Sequence, residues 1–529
     1  MEVKGCRKLR LCSRWTPPSG TLGFMVPLVA VLVVVVLVGL KTPNWLIASN
    51  WNWGASAIPG GEMNRSATSS PPAAEGGAFS SEMKQSVTGG GRHEVHLDSL
   101  NFHGAASPPP EKIGDSPNST NPSNTSSSSL FKLSSEINKR SNRLDITEAQ
   151  LQKARAAIQA AKNTTDGAHA PYYIPTGPVY LNPSAFHRSY LEMEKNFKVY
   201  VYEEGEHPIF HNGPCGSIYS IEGYFIYQLE ISNFRTRDPK KAHVFFLPFS
   251  VASIVHYIFD STVRKHRWRP LRKTVKDYVD LVARKYPFWN MSLGYDHFML
   301  SCHDWGPELS KSIPWLSKNS IRALCNANTT EGFEPFKDAS IPEINLPGGN
   351  IKRLLGGPSP STRSILAFFA GGLHGPIRPI LLEHWEKKDL DIQVQRYLPK
   401  DVSYYTMLRK SKYCICPSGY EVASPRIVEA LYTGCVPVII KDHYVLPFSD
   451  VLNWKSFAVE IPVAEIPNLK KILTGISTRQ YIRMQRRGVI ARRHFEVNLP
   501  PRSYDVFHMI LHSVWLRRLN FRLPDVKDF

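Results

Sequence analysis

Residues 414–440 read CICPSGYEVASPRIVEALYTGCVPVII. Their pattern is strand, tight polar turn, helix, small-residue turn and buried strand. The turn Pro417-Ser418-Gly419-Tyr420 falls where the first strand ends. A helix opens near Ser424-Pro425-Arg426, with proline at an allowed first-turn position. Helix N-termini and glycine turns present free backbone N–H groups, which suits a diphosphate. Arg426 in the first turn adds two-pronged phosphate recognition. Glu429, one helical turn on, is placed to accept hydrogen bonds from ribose hydroxyls. Ser418 and Gly419 join the same candidate donor site.

The strand–turn–helix logic recurs upstream. Ile365–Ala370 reads as a strand, Gly371-Gly372-Leu373-His374-Gly375 as a glycine turn, and Pro376–Lys387 as a helix carrying Arg378 in its first turn. Gly372 and Arg378 therefore face anions as Gly419 and Arg426 do. Further strands are expected at Ile392–Gln395, Lys198–Tyr202, His243–Leu247 and Tyr295–Leu300. Helices are expected at Glu222–Phe234, Leu271–Tyr286, Tyr404–Lys410 and 503–519. Alternating strands and helices imply parallel sheets covered on both faces.

At 529 residues the chain exceeds one core, and two domains are the natural division. Residues 22–40 carry no charge and are long enough to span a bilayer. Five basic residues precede them against one acid, which orients the N-terminus to the cytosol and the rest to a lumen. A cleaved signal peptide is the alternative. The length of the apolar run and the lack of a small-residue cleavage site favour an anchor. Residues 41–140 are rich in Ser, Pro, Gly and Asn and cannot bury a core. The expected order is a cytosolic tail (1–21), a membrane anchor (22–40), a flexible stem (41–170) with a helix near 144–162, a first folded domain (171–355) and a second (356–529). Leu151, Ala154, Ile158 and Ala161 form a narrow apolar stripe, to be covered by the head or by a neighbouring chain.

Sequons at Asn64, Asn118, Asn124, Asn163, Asn290 and Asn328 fit lumenal exposure. Cys6 and Cys12 would be cytosolic. Six other cysteines allow fifteen complete pairings, and Cys302 with Cys325 is the pairing expected here. Cys414 and Cys416 read as two packed small residues. The net charge of +19 suits acidic glycans or lipid headgroups. A lumenal position excludes nucleic acid.

The pieces KVYVYEE (198–204), EGYFIYQL (222–229), AHVFFLPF (242–249), DHFMLSCHDWGP (296–307) and LAFFAGGLHGPIRPILLEHW (366–385) accompany the 414–440 segment in this order. Over roughly residues 170–520 the chain resembles the exostosin-type glycosyltransferases, family 47, in their plant cell-wall branch. The resemblance implies a GT-B fold: two Rossmann-like α/β domains facing across a cleft, with a last helix crossing back onto the first. It implies a Golgi type II membrane enzyme that moves a sugar from a nucleotide sugar, with UDP expected, to a cell-wall polysaccharide or glycan. The spacing of Glu421 and Glu429 resembles a motif of retaining GT-B enzymes, in which the second glutamate holds the ribose. The exostosin-type family itself is expected to invert.

An inverting transfer needs a base for the acceptor hydroxyl and positive groups for the departing diphosphate. Asp304, His303 and Asp296, around the end of one strand, are the candidate bases. Tyr219, Glu222 and Tyr224 are candidates for the acceptor groove. Asp389-Leu390-Asp391 spells a metal-binding D-x-D but sits in a charged turn, so neither a metal nor another cofactor is expected. Association with itself or with other glycosyltransferases stays open. Two rival readings are a non-catalytic scaffold subunit, and an anchored glycoside hydrolase working through paired carboxylates.

Overall fold

Short apolar runs buried on both faces form the strands, as parallel sheets require. A computed structural model of the chain describes residues 126–163, 173–260 and 268–521, with side chains from residue 144. The tail, the apolar span, most of the stem, Cys6, Cys12, Asn64, Asn118 and Asn124 lie outside the described residues. Among the described residues no helix is long and apolar enough to cross a membrane.

The first sheet holds β1 (Val199–Val201), β2 (Arg235–Thr236), β3 (Val244–Phe246), β4 (His297–Ser301), β5 (Ile321–Leu324) and β6 (Ala339–Ser340), in the order β2-β1-β3-β4-β5-β6. The second holds β7 (Ile365–Ala370), β8 (Ile392–Gln395), β9 (Ser411–Pro417), β10 (Val436–Ile440) and β11 (Val459–Ile461), in the order β11-β10-β9-β7-β8. Every pairing is parallel, so helices must carry the chain back between strands. The mixed α/β class with parallel sheets is as expected.

In the second sheet the chain runs outward from β7 to β8, then returns to place β9 on the other side of β7. Ligands bind at such a reversal, beyond the carboxyl ends of the strands. The loops there are 371–376 and 418–425, the two glycine turns.

All described residues belong to one compact unit. Segments beyond the carboxyl ends of β5 and β6 meet those beyond β9 and β10. Asn326 donates to Glu421 at 2.6 Å, the Thr329 amide to the His443 carbonyl at 3.1 Å, and the Val445 amide to the Ala327 carbonyl at 3.0 Å. The last helix, Val506–Asn520, returns to the first sheet as expected. Its Phe507 packs on Phe225, Arg517 Nε donates to the Asp338 carbonyl and Arg518 Nε to the His243 carbonyl.

The helix expected at 144–162 runs Ser126–Ala161. Leu151 and Ala154 are fully buried in the main core, so the head itself covers the apolar stripe. Arg155 fastens this helix to the last one through the carbonyls of Leu519 and Phe521.

Among the described residues, two disulfides with both partners described tie neighbouring segments. Cys302–Cys325 matches the expected pair. Cys414–Cys435 corrects the reading of Cys414 as a packed thiol, because its side chain points to the turn that starts β10. Cys416, on the same strand, stays a free buried thiol. Peptide mapping without reduction is expected to recover 414 linked to 435. Replacing both by alanine is expected to cost about 2–4 kcal/mol, read as a lower melting temperature.

Candidate active site

The two glycine turns abut so closely that side chains are excluded. A Cβ on Gly375, whose φ is +69°, would lie 1.7 Å from the Gly419 carbonyl oxygen. A Cβ on Gly371 would lie 2.6 Å from Arg426 Nη2, and one on Gly419 would lie 2.8 Å from Arg378 Nη2. Glycine at these places leaves room for two guanidinium groups. Arg378 sits in the first turn of the helix Ile377–Trp385 and is only 7% exposed. Arg426 opens the helix Arg426–Thr433, lies over the Phe369 ring at 5.4 Å and donates to the Ala370 carbonyl at 3.1 Å. Burial and the neighbouring Arg426 charge pull the pKa of Arg378 down to about 10. Both Nε atoms are buried without a hydrogen-bond partner, as is Ser424 Oγ at the same helix start. Buried donors normally find partners. Here three unpaired donors lie beside the two abutting turns, which fits an anionic ligand.

On the first-sheet side, Glu222 is fully buried and organises the end of β4. One oxygen accepts from Ser250 Oγ and the Ala252 amide; the other from Ser301 Oγ and the amides of Cys302 and His303. That corrects its expected place in an acceptor groove: no part of it faces solvent. Tyr224 is corrected likewise, being 4% exposed with its hydroxyl on the Gly349 carbonyl. Tyr219 alone of the three stands at the crevice. Its ring lies 4.7 Å from that of His303, and the Asp304 carboxyl lies near its hydroxyl.

Asp296 lies at the opposite end of β4 from Asp304, buried, accepting from Ser292 Oγ at 2.5 Å and lying 2.8 Å from His297 Nδ1. It does not join the site. His303 accepts the Trp305 amide at Nδ1, so the ring proton sits on Nε2. Burial also lowers its pKa to about 4. The lone pair that would take an acceptor proton is already engaged, which removes His303 from the candidate bases. Asp304 remains, its pKa raised by burial against the hydrogen bond from Tyr219.

Glu429 is 5% exposed and accepts from Tyr404, Tyr405 and Asn345. Three of its lone pairs are occupied, leaving one for a ligand. Glu421 faces the first sheet through Asn326, and burial with nearby Glu331 and Asp304 pushes its pKa up to about 8. Ser418 Oγ closes its own turn on the Val422 carbonyl. Gly372 lies beside His374, where a Cβ would be 3.2 Å from Nε2.

Among the sequons, Asn163 and Asn290 are exposed. Asn328 is 9% exposed and uses both amide atoms, donating to Glu331 and accepting from the Thr330 amide, so a glycan there conflicts with the folded state. Lys470 bridges Asp389 and Asp391 at 2.7 and 2.9 Å.

Sequence reasoning missed the segment 341–349. Its Glu343 lies near Asp304, Arg426, Glu429 and Arg378, and its Asn345 holds Glu429. The preceding strand β6 has two residues, too few to show a period. The paired tyrosines at 404 and 405 were legible as residues of a helix, not as clamps on Glu429.

The sequence profile of the Exostosin GT47 domain matches residues 193–476. A probable glycosyltransferase of Arabidopsis thaliana is 52% identical over 537 residues, covering 99% of this chain and 99% of its own. A second one is 55% identical over 383 residues, 71% of this chain and 81% of its own. A probable glucuronoxylan glucuronosyltransferase of the same plant is 26% identical over 367 residues, 65% and 77% of the two chains.

Because the pKa of Glu421 is raised on folding, its neutral form favours the folded state. The stabilisation is complete below the unfolded carboxyl pKa and is lost as pH climbs toward about 8. Glu421→Gln imitates the neutral acid. It is expected to raise the melting temperature above wild type at alkaline pH and to match wild type in acid.

Proposed function

This chain belongs to the exostosin GT47 family of glycosyltransferases, and from that membership we propose that it transfers a sugar from a nucleoside diphosphate sugar, a UDP-sugar, to a plant cell-wall polysaccharide or glycan. The observation that carries this reading is the pair of guanidiniums, Arg378 and Arg426, with unpartnered Nε atoms at the reversal of the second sheet. A diphosphate there would gain charge-assisted bonds from both, and from the helix start at Ser424. The two sheets form the two halves of a GT-B enzyme, with the donor in the second half. Glu429 has one acceptor position left for a ribose hydroxyl.

The acceptor approaches from the first sheet. Asp304, oriented by Tyr219, takes the proton of the attacking hydroxyl as the oxygen–anomeric carbon bond forms. The bond to the diphosphate breaks with its electron pair on the phosphate oxygen, and the two arginines neutralise that charge. The anomeric centre inverts. Relatives named for glucuronosyl transfer support a cell-wall glycan as acceptor. The apolar residues 22–40 support a Golgi type II anchor with a lumenal head, and among the described sequons Asn163 and Asn290 are exposed to take glycans.

Calorimetry with UDP and the full-length protein tests the donor site. Arg426→Ala and Arg378→Ala are each expected to weaken binding by about 1.5–3 kcal/mol, roughly 10- to 150-fold. Unchanged affinity in both would overturn the reading. With a panel of UDP-sugars, Asp304→Asn is expected to lower turnover by roughly 10²- to 10⁴-fold while UDP still binds. Retained turnover would remove Asp304 as the base.

A further inference from the structure

Glu343 has no role in the reading above, yet its placement is specific. Ile344 bridges Tyr219, Leu346 bridges Ser217, and both are fully buried toward the first sheet. Ser220 Oγ also fastens the Ile344 carbonyl. In such an extended stretch alternate side chains share a side. Residues 343 and 345 therefore turn the other way, and Asn345 does so visibly, reaching Glu429 on the helix after β9 at 3.2 Å.

Glu343 is thus held on the crevice side, 7% exposed, and among the described residues nothing hydrogen-bonds its carboxyl. The charged groups around it are Asp304 beyond β4, Arg426 and Glu429 on the helix after β9, and Arg378 on the helix after β7. Tyr219 and Tyr444 also lie within its field, both kept neutral by burial. This carboxyl is unbonded, and the candidate base and the candidate diphosphate groups are the charged groups around it.

Resting on the donor-site reading, we propose that Glu343 is a third diphosphate-binding group, which meets the nucleotide in its protonated form so that donor binding takes up a proton. Ionised, Glu343 would compete for both guanidiniums and repel the incoming phosphates. Neutral, it donates its O–H to a phosphate oxygen and leaves the arginines to the ligand. Burial, with Asp304 next, pushes its pKa up, and Arg426 and Arg378 pull it down. A bound diphosphate cancels that pull, so the pKa rises further on binding. By reciprocity, protonation tightens binding, and affinity falls as pH rises through the window between the free and bound values.

The test is UDP calorimetry on the full-length protein over a neutral-to-alkaline pH series, in buffers of different ionisation enthalpy. The nucleotide's own titration is common to all variants and cancels in differences. Wild type is expected to take up more protons than Glu343→Gln and to lose affinity more steeply, by up to about tenfold per pH unit. At alkaline pH Glu343→Gln is expected to bind more tightly than wild type. Parallel affinity profiles across the series would overturn the proposal. Should Glu343→Gln not fold by circular dichroism, Glu343→Asp carries the test. Its shorter arm is expected to shift the window, and an unshifted profile would overturn the proposal. Arg378→Ala and Arg426→Ala separate the layers: if UDP affinity is unchanged in both, the donor-site reading itself fails. If it is not, parallel profiles sink only the role of Glu343.

Discussion

Two guanidinium groups share one half-dry crevice, and among the described residues neither has a carboxylate within ion-pair distance. Like charges at close range in a protein interior repel strongly, and burial adds a desolvation cost. The fold meets that cost locally. The Phe369 ring lies under Arg426, the Ala370 carbonyl accepts a hydrogen bond from it, and Glu429 stands one turn along the same helix. The parallel order of the second sheet puts both arginines at the reversal between β7 and β9. Glycine at 371, 375 and 419 keeps the space clear. An anion held there, as proposed, would supply the partners these groups lack.

The first sheet plays a different part. Glu222 gathers five donors from two segments, 250–252 and 301–303, and fixes the bend after β4. That bend carries His303, its ring tilted against that of Tyr219, with Asp304 beside the same tyrosine. The Cys302–Cys325 disulfide ties the same bend to the loop of Asn326, which reaches across to Glu421. Rigid positioning on one side therefore faces concentrated positive charge on the other, the division of labour a group transfer needs.

Parts of the second sheet were legible in the sequence: β7 is an apolar run that ends at Gly371, and β9 and β10 flank the turn and helix of 418–433. Ile365–Ala370, Ile392–Gln395 and Tyr404–Lys410 have the same bounds in sequence and structure. The arginines were legible in the same way: each stands in the first helical turn after a glycine loop. The first sheet was harder. β5 contains Arg322, whose guanidinium is buried against Asp338, and a charge in a strand breaks the apolar signal. β2 and β6 are two residues each. The identities of Glu222 and Asp296 did not reveal their depth, since a carboxylate fed by backbone amides looks in sequence like one that faces a cleft. Glu343 was invisible because only the folded chain brings residue 343 to residues 304, 378 and 426.

The central claim is that the crevice of Arg378 and Arg426 holds a nucleoside diphosphate. A crystal structure of the protein with UDP tests it most directly. The account requires phosphate oxygens within hydrogen-bond distance of both guanidiniums and the ribose beside Glu429. UDP bound elsewhere, with the two arginines still unoccupied, would contradict it.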